Sequence, residues 1–215
     1  MYDLILFDLD GTLTIPEEGI TKSVQYALRS KGIMEENQAN LRRFIGPPLV
    51  DGFMEFYGMN REDALFCVEK YRERYREVGL FENELIEGVS QMLKTLKMSG
   101  KTLAIATSKP TPFTVRILER FGISEYFSFV AAAEFDGTRN DKADVIKYAL
   151  ENLKGFKNPI MVGDRKHDCL GAIKNNIPCV GVSFGYAEEG ELLESGAVKI
   201  CDTIEELTEY LNSLQ

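Results

Sequence analysis

The apolar run Leu4-Ile5-Leu6-Phe7 ends on Asp8-Leu9-Asp10-Gly11-Thr12. A buried strand ordinarily gives way to a neutral turn. Here two carboxylates, one residue apart, stand at a strand's C-terminal edge, where open α/β sheets place their ligands. Like charges that close repel, so the sequence implies a cation, a proton, or both between them.

Further short apolar runs with strand character follow, separated by helical periods. Asp3–Phe7 is the first strand, followed by Thr102–Ala106, Phe127–Ala132, Pro159–Val162 and Cys179–Val182, with Val198–Cys201 as a sixth. Val89, Met92, Leu93 and Leu96 fall on one helix face. Thr111-Pro112 reads as an N-cap followed by proline at the first helical position, with Gly122 as the stop. Thr203 and Glu206 read as a capping box opening a last helix with Leu207, Tyr210, Leu211 and Leu214 inward. Alternating strands and helices predict an α/β fold: a Rossmann-like parallel sheet core with helices on both faces.

One interval breaks the alternation. From residue 14 to 85 the pattern is helical, with Ile20, Val24, Ala27 and Leu28 sharing one face and Ala64, Cys67, Val68, Tyr71 and Tyr75 another. Arg72, Arg74 and Arg76 read as a solvated face. The expected organisation is therefore a core of residues 1–13 and 86–215 with an inserted α-helical domain of residues 14–85, hinged near Thr14–Pro16 and Gly79–Asn83. A length of 215 residues suits a domain carrying an insertion.

Composition narrows the function classes. A net charge of −9 with no basic stripe speaks against a nucleic acid partner. Cys67, Cys169, Cys179 and Cys201 lack C-x-x-C spacing, which argues against zinc and against a disulfide framework. Reduced thiols, an N-terminus that enters a strand without a signal peptide's charged and apolar regions, and no run of membrane-spanning length lead us to expect a cytoplasmic protein.

Four segments fall at the C-terminal ends of the expected strands: Asp8 and Asp10; Thr107-Ser108-Lys109; Lys142, near a helix start; and Asp164 through Asp168. A parallel sheet gathers them on one edge. Two unit charges about 4 Å apart repel by roughly 4 kcal/mol at an effective dielectric near 20, so Asp8, Asp10, Asp164 and Asp168 need compensation. A hard divalent cation with oxygen ligands, such as Mg2+, supplies it, and Lys142 adds a fixed positive charge. With the hydroxyl and backbone donors of Thr107 and Ser108, the set suits a phosphoryl group.

D-L-D-G-T, then T-S-K, then a lone lysine, then G-D-R-x-x-D resemble the four motifs of the haloacid dehalogenase superfamily. The insert after the first strand resembles the cap of the phosphoglycolate phosphatase and β-phosphoglucomutase branch. Gly137–Ala143 and Val162–Asp168 are similar to the group called 5′-nucleotidase-like. The resemblance implies a phosphatase of a small phosphorylated metabolite, acting as monomer or homodimer. It makes Asp8 the nucleophile and Asp10 the general acid and base. Asp8, the Asp10 backbone carbonyl and Asp164 would hold Mg2+, with Asp168 a ligand or an orienting residue. Thr107, the Ser108 backbone and Lys142 would bind the phosphoryl oxygens; asparagine is the more frequent residue at the Ser108 position. In the cap, the loop carrying Arg43 and Gly46 is the expected substrate contact, and the cap would close over substrate. Lys109 and Arg165 are read either as steering cations or as solvated charges. His167 is read as a local hydrogen-bonding residue.

Other reactions fit less well. A phosphomutase of this family needs a cap histidine near the first hinge, and residues 14–25 contain none. A dehalogenase has no need of Asp10. A phosphonatase needs a cap lysine, for which Lys22 and Lys31 lack a recognisable context. A binding module without chemistry would not need the full carboxylate set.

Overall fold

The computed structural model describes residues 2–213. The strands are β1 (Leu4–Phe7), β2 (Thr14–Ile15), β3 (Glu84–Leu85), β4 (Thr102–Pro110), β5 (Phe127–Ala133), β6 (Pro159–Gly163), β7 (Cys179–Val182) and β8 (Lys199–Cys201). The helices are α1 (Glu17–Arg29), α2 (Leu49–Tyr57), α3 (Arg61–Glu77), α4 (Val89–Met98), α5 (Thr111–Arg120), α6 (Lys142–Asn152), α7 (Lys166–Lys174), α8 (Glu191–Glu194) and α9 (Ile204–Ser213). Leu214, expected on the inner face of α9, lies outside the described residues.

Two compact units emerge: Met1–Thr14 with Leu85–Gln215, and Ile15–Glu84. The boundaries fall one residue inside the expected insert of residues 14–85 at each end. The larger unit carries a six-stranded parallel sheet in the order β5-β4-β1-β6-β7-β8. The chain leaves β1 toward β4 on one side and returns to β6 on the other. This reversal makes the C-terminal end of β1 a topological switch point, where such sheets leave a crevice. All four β1 residues are fully buried, as a central parallel strand requires. Leu4 and Leu6 pack with Val145, Ile146 and Ala149 of α6 and with Cys169 and Ala172 of α7. Ile5 and Phe7 alternate to the opposite face and are equally buried.

Two expectations about this unit change. β4 runs on to Pro110, because a register shift between Thr107 and Pro110 lets it rejoin β5 at Ala133. Thr111 is therefore the first residue of α5 rather than its N-cap, and its hydroxyl donates to the Ala133 carbonyl at 3.1 Å. At α9, Thr203 accepts from the Glu206 N–H at 3.1 Å, but the Glu206 carboxylate reaches the Asp202 N–H instead of completing the box.

In the helical unit, α1 packs against α3. The apolar faces predicted for both are buried. A Cβ at Gly19 would lie 2.0 Å from the Gly79 carbonyl oxygen, so the start of α1 touches the turn after α3 at backbone distance. Gly79 is thus packed into the unit, and the second boundary falls later, after Glu84. Two short strands, β2 and β3, pair where no strand was expected; two residues each are too few to show a period. Arg74 is not solvated: it forms a two-pronged ion pair with Glu82 at 2.8 and 3.0 Å.

Candidate active site

Asp8 follows β1 directly, and its N–H donates to the Val162 carbonyl at 2.9 Å. Sheet hydrogen bonding thus continues into this residue and fixes its backbone. Phe7 pairs with Val162 in register, so Asp8 stands level with Gly163 and Asp164 lies just beyond. Asp168 sits in the first turn of α7, where its Oδ2 accepts from the Arg165 N–H at 3.0 Å. Asp8, Asp164 and Asp168 each present an oxygen within 4.8 Å of the others, and all three are buried.

Lys142 answers this cluster. It is the first residue of α6, whose N-cap Asp141 accepts from the Ala143 N–H at 2.8 Å. That cap fixes where the helix starts and so where Lys142 points. The Lys142 Nζ lies 2.8 Å from Asp8 and 2.9 Å from Asp168, and donates to the Ala106 carbonyl at 3.1 Å. The ammonium thus has one carbonyl hydrogen bond and two close ion-pair contacts. Gly171 of α7 helps: a Cβ there would sit 3.1 Å from both the Ala143 nitrogen and the Lys142 Cγ.

Three glycines make room for the carboxylates. A Cβ on Gly11, whose φ is +81°, would lie 2.2 Å from Asp164 Oδ2. One on Gly185 would lie 2.3 Å from Asp164 Cβ, and one on Gly163 would lie 2.2 Å from Asp168 Cγ. Each would collide, so the backbone approaches both aspartates more closely than a side chain permits.

The electrostatics follow from crowding. Burial, then the charges of Asp168 and Asp8, push the Asp164 carboxyl well above its ordinary range. Burial raises Asp168 as well, against the pull of Lys142. Burial opposes the Lys142 charge, but Asp168 and Asp8 outweigh it and hold its pKa above the usual value. With all three carboxylates ionised, the one ammonium leaves two negative charges in excess. An all-oxygen, dianionic, buried donor set fits a hard divalent cation.

Asp10 belongs to a second pair. Its carboxylate Oδ2 bonds the ammonium of Lys109 near the end of β4, and both side chains are almost fully buried. Burial raises the Asp10 carboxyl, with Lys109 pulling the other way. Lys109 is therefore neither solvated nor exposed. Arg165 is likewise buried and bonds Glu191 at 2.9 Å. Thr107 is buried with its hydroxyl accepting from the Lys109 N–H at 3.3 Å, and Ser108 is half-buried beside it in β4. His167 is half-buried, with burial and then Arg165 lowering its pKa.

Two contacts to Asp164 escaped the sequence reading. The Thr12 hydroxyl donates to Oδ1 at 3.2 Å, and the Tyr186 N–H donates to Oδ2 at 2.8 Å. Thr12 was already in the first motif. Tyr186 follows Gly185 just beyond β7, and that glycine at another strand's C-terminal end was the available signal. The remaining expected contacts, Arg43 and Gly46, lie in the helical unit. The Arg43 guanidinium stacks 4.4 Å from the Phe56 ring centroid, and Gly46 turns the chain with a φ of +102°.

Comparison with known proteins decides the family. The description of the haloacid dehalogenase-like hydrolases matches residues 5–182. The chain belongs to that family. This hydrolase is 43% identical to a 5′-nucleotidase of Pseudomonas aeruginosa, over 99% of its own length and 96% of the relative's. It is 37% identical to the tyrosine-protein kinase PtkA of Mycobacterium tuberculosis, over 97% of its own length and 72% of that protein. A crystal structure of a predicted phosphatase from Clostridium acetobutylicum superimposes with a TM-score of 0.96 at 42% identity, covering 100% of both chains. Among the described residues, no helix of the hydrolase is long and apolar enough to cross a membrane.

Proposed function

We propose that the protein hydrolyses a small phosphomonoester, with Mg2+, through an aspartyl-phosphate, a mixed anhydride formed on Asp8. The observation that carries this reading is the buried cluster of Asp8, Asp164 and Asp168 with Lys142 bridging two of them. Asp8, Asp164 and Asp168, with the Asp10 backbone carbonyl, would hold the metal. When bound, Mg2+ neutralises the surplus charge and polarises the phosphoryl group.

The steps follow from the chain's own groups. A carboxylate oxygen of Asp8 attacks phosphorus and the P–O bond to the leaving group breaks. Asp10 gives that oxygen a proton, which suits a carboxyl whose pKa burial raises. Ionised Asp10 then takes a proton from water, the water oxygen bonds phosphorus, and Asp8 is released as carboxylate with inorganic phosphate. Thr107, the Ser108 N–H and Lys142 would hold the phosphoryl oxygens. The 5′-nucleotidase relative favours a nucleoside monophosphate as substrate.

The kinase relative points to a second reading, in which the phosphoryl group passes to a tyrosine hydroxyl. The same covalent step serves either outcome, and the acceptor separates them. The test is turnover of p-nitrophenyl phosphate and a panel of nucleoside monophosphates and phosphoglycolate, with Mg2+ and with chelator, beside a tyrosine peptide incubated with ATP. Phosphate release that needs Mg2+ and leaves the peptide unlabelled supports hydrolysis; a labelled peptide without phosphate release refutes it.

A further inference from the structure

We infer that Lys109 is a positioning residue that holds one oxygen of Asp10 so that the other oxygen handles the protons. The inference rests on the reading of Asp10 as general acid and base.

The two Asp10 oxygens have different surroundings. Oδ2 is bonded to the Lys109 ammonium. Oδ1 is buried with no hydrogen-bond partner among the described residues. A buried acceptor without a donor is unfavourable, so this oxygen is matched to a donor that arrives with the reaction. The attacking water supplies such an O–H in the second step, and the proton given to the leaving group departs from the same oxygen in the first. Oδ2, already accepting a hydrogen bond from an ammonium, is a poor base by comparison.

Lys109 is itself held firmly. β4 pairs directly with β1, the strand that leads into Asp8 and Asp10. The Lys109 N–H donates to Thr107 at 3.3 Å, and its carbonyl accepts from the Thr114 hydroxyl of α5 at 3.3 Å. The register shift between Thr107 and Pro110 falls on this segment, so the strand bends where Lys109 must aim. Burying a long, rotamer-rich cation is unfavourable in entropy and solvation, so such a pair is a weak device for stability alone. Fixing one carboxylate rotamer gives the arrangement a purpose.

The experiment compares kcat/KM for p-nitrophenyl phosphate and phenyl phosphate in wild type and Lys109→Met. Departure of p-nitrophenolate needs little protonation, whereas phenolate departure needs the acid. Lys109→Met is expected to lower kcat/KM for phenyl phosphate by about 10²-fold, within the range for general acid catalysis, and to lower that for p-nitrophenyl phosphate much less. Lys109→Arg, which keeps the cation, is expected to restore the wild-type ratio, and methylammonium is expected to rescue Lys109→Ala toward it. An equal loss with both substrates in Lys109→Met and Lys109→Ala, with no amine rescue, would overturn the inference, because a steering cation or a structural prop acts on both alike. Asp10→Asn tests the underlying reading separately: it is expected to lose phenyl phosphate turnover far more than p-nitrophenyl phosphate turnover, and an equal effect on both substrates would remove Asp10 as the acid.

Discussion

The ammonium of Lys142 lies 2.8 Å from a carboxylate oxygen of Asp8, joining the first residue of α6 to the residue that follows β1. The contact spans the sheet edge at the switch point and is almost fully buried. Removing one member of a buried pair costs about 3–5 kcal/mol, since the other charge is left uncompensated. Lys142→Met is therefore expected to lose about 3 kcal/mol of stability in chelator, and less with Mg2+ present. Urea unfolding under the two conditions checks this; an equal loss in both would mean that no cation shares the cluster.

Metal binding has its own signature. Mg2+ is expected to raise the thermal midpoint of the chelator-treated protein, because only the folded state gathers Asp8, Asp164 and Asp168. Asp164→Asn is expected to abolish that rise. Calorimetric titration would give the same ranking, and undiminished affinity in the variant would remove Asp164 from the ligand set.

Gly11 and Gly122 separate backbone strain from collision. Both have positive φ, +81° and +64°, so alanine costs each about 1–2 kcal/mol. A Cβ at Gly122 meets nothing within 4 Å, whereas one at Gly11 meets Asp164 Oδ2. Gly11→Ala is expected to weaken Mg2+ binding as well as stability, and Gly122→Ala to lower stability alone. Equal Mg2+ affinity in both variants would refute the crowding argument.

The helical unit carries a pH-dependent contact. Hydrogen bonding to Arg74 is the chief influence lowering the Glu82 pKa below its ordinary 4.5, with burial opposing it. A carboxylate with a depressed folded pKa contributes stability that is complete above the unfolded pKa and is lost as pH falls through the folded value. Glu82→Gln is thus expected to be less stable than wild type at pH 7, with the gap closing below about pH 4. Unfolding midpoints across that range test the sign; a gap that widens in acid would contradict it.

Much of this site was legible because its residues obey local rules. The apolar run before Asp8, the Gly11 turn and the four-residue spacing of Asp164 and Asp168 all act within a few residues, and a parallel sheet does the gathering. What stayed hidden depends on distance along the chain. Thr12 reaches Asp164 across 152 positions, and Lys109 reaches Asp10 across 99. A lysine beside a strand end looks solvated until the neighbouring strand delivers a carboxylate to it. The cap of α5 was misread because β4 continues past the point where its apolar run ends, carried by a register shift with no sequence mark. Arg74 sits in a charged run whose composition conceals that one member finds a partner after the helix ends.

The central claim is that Asp8 carries the phosphoryl group. Its direct measurement is acid quenching during turnover of a radiolabelled phosphomonoester with Mg2+, followed by peptide mapping. We expect hydroxylamine-labile label on the peptide containing Asp8, absent from Asp8→Asn, which should also lose turnover. Steady turnover with no label on that peptide, and full activity in Asp8→Asn, would contradict the account.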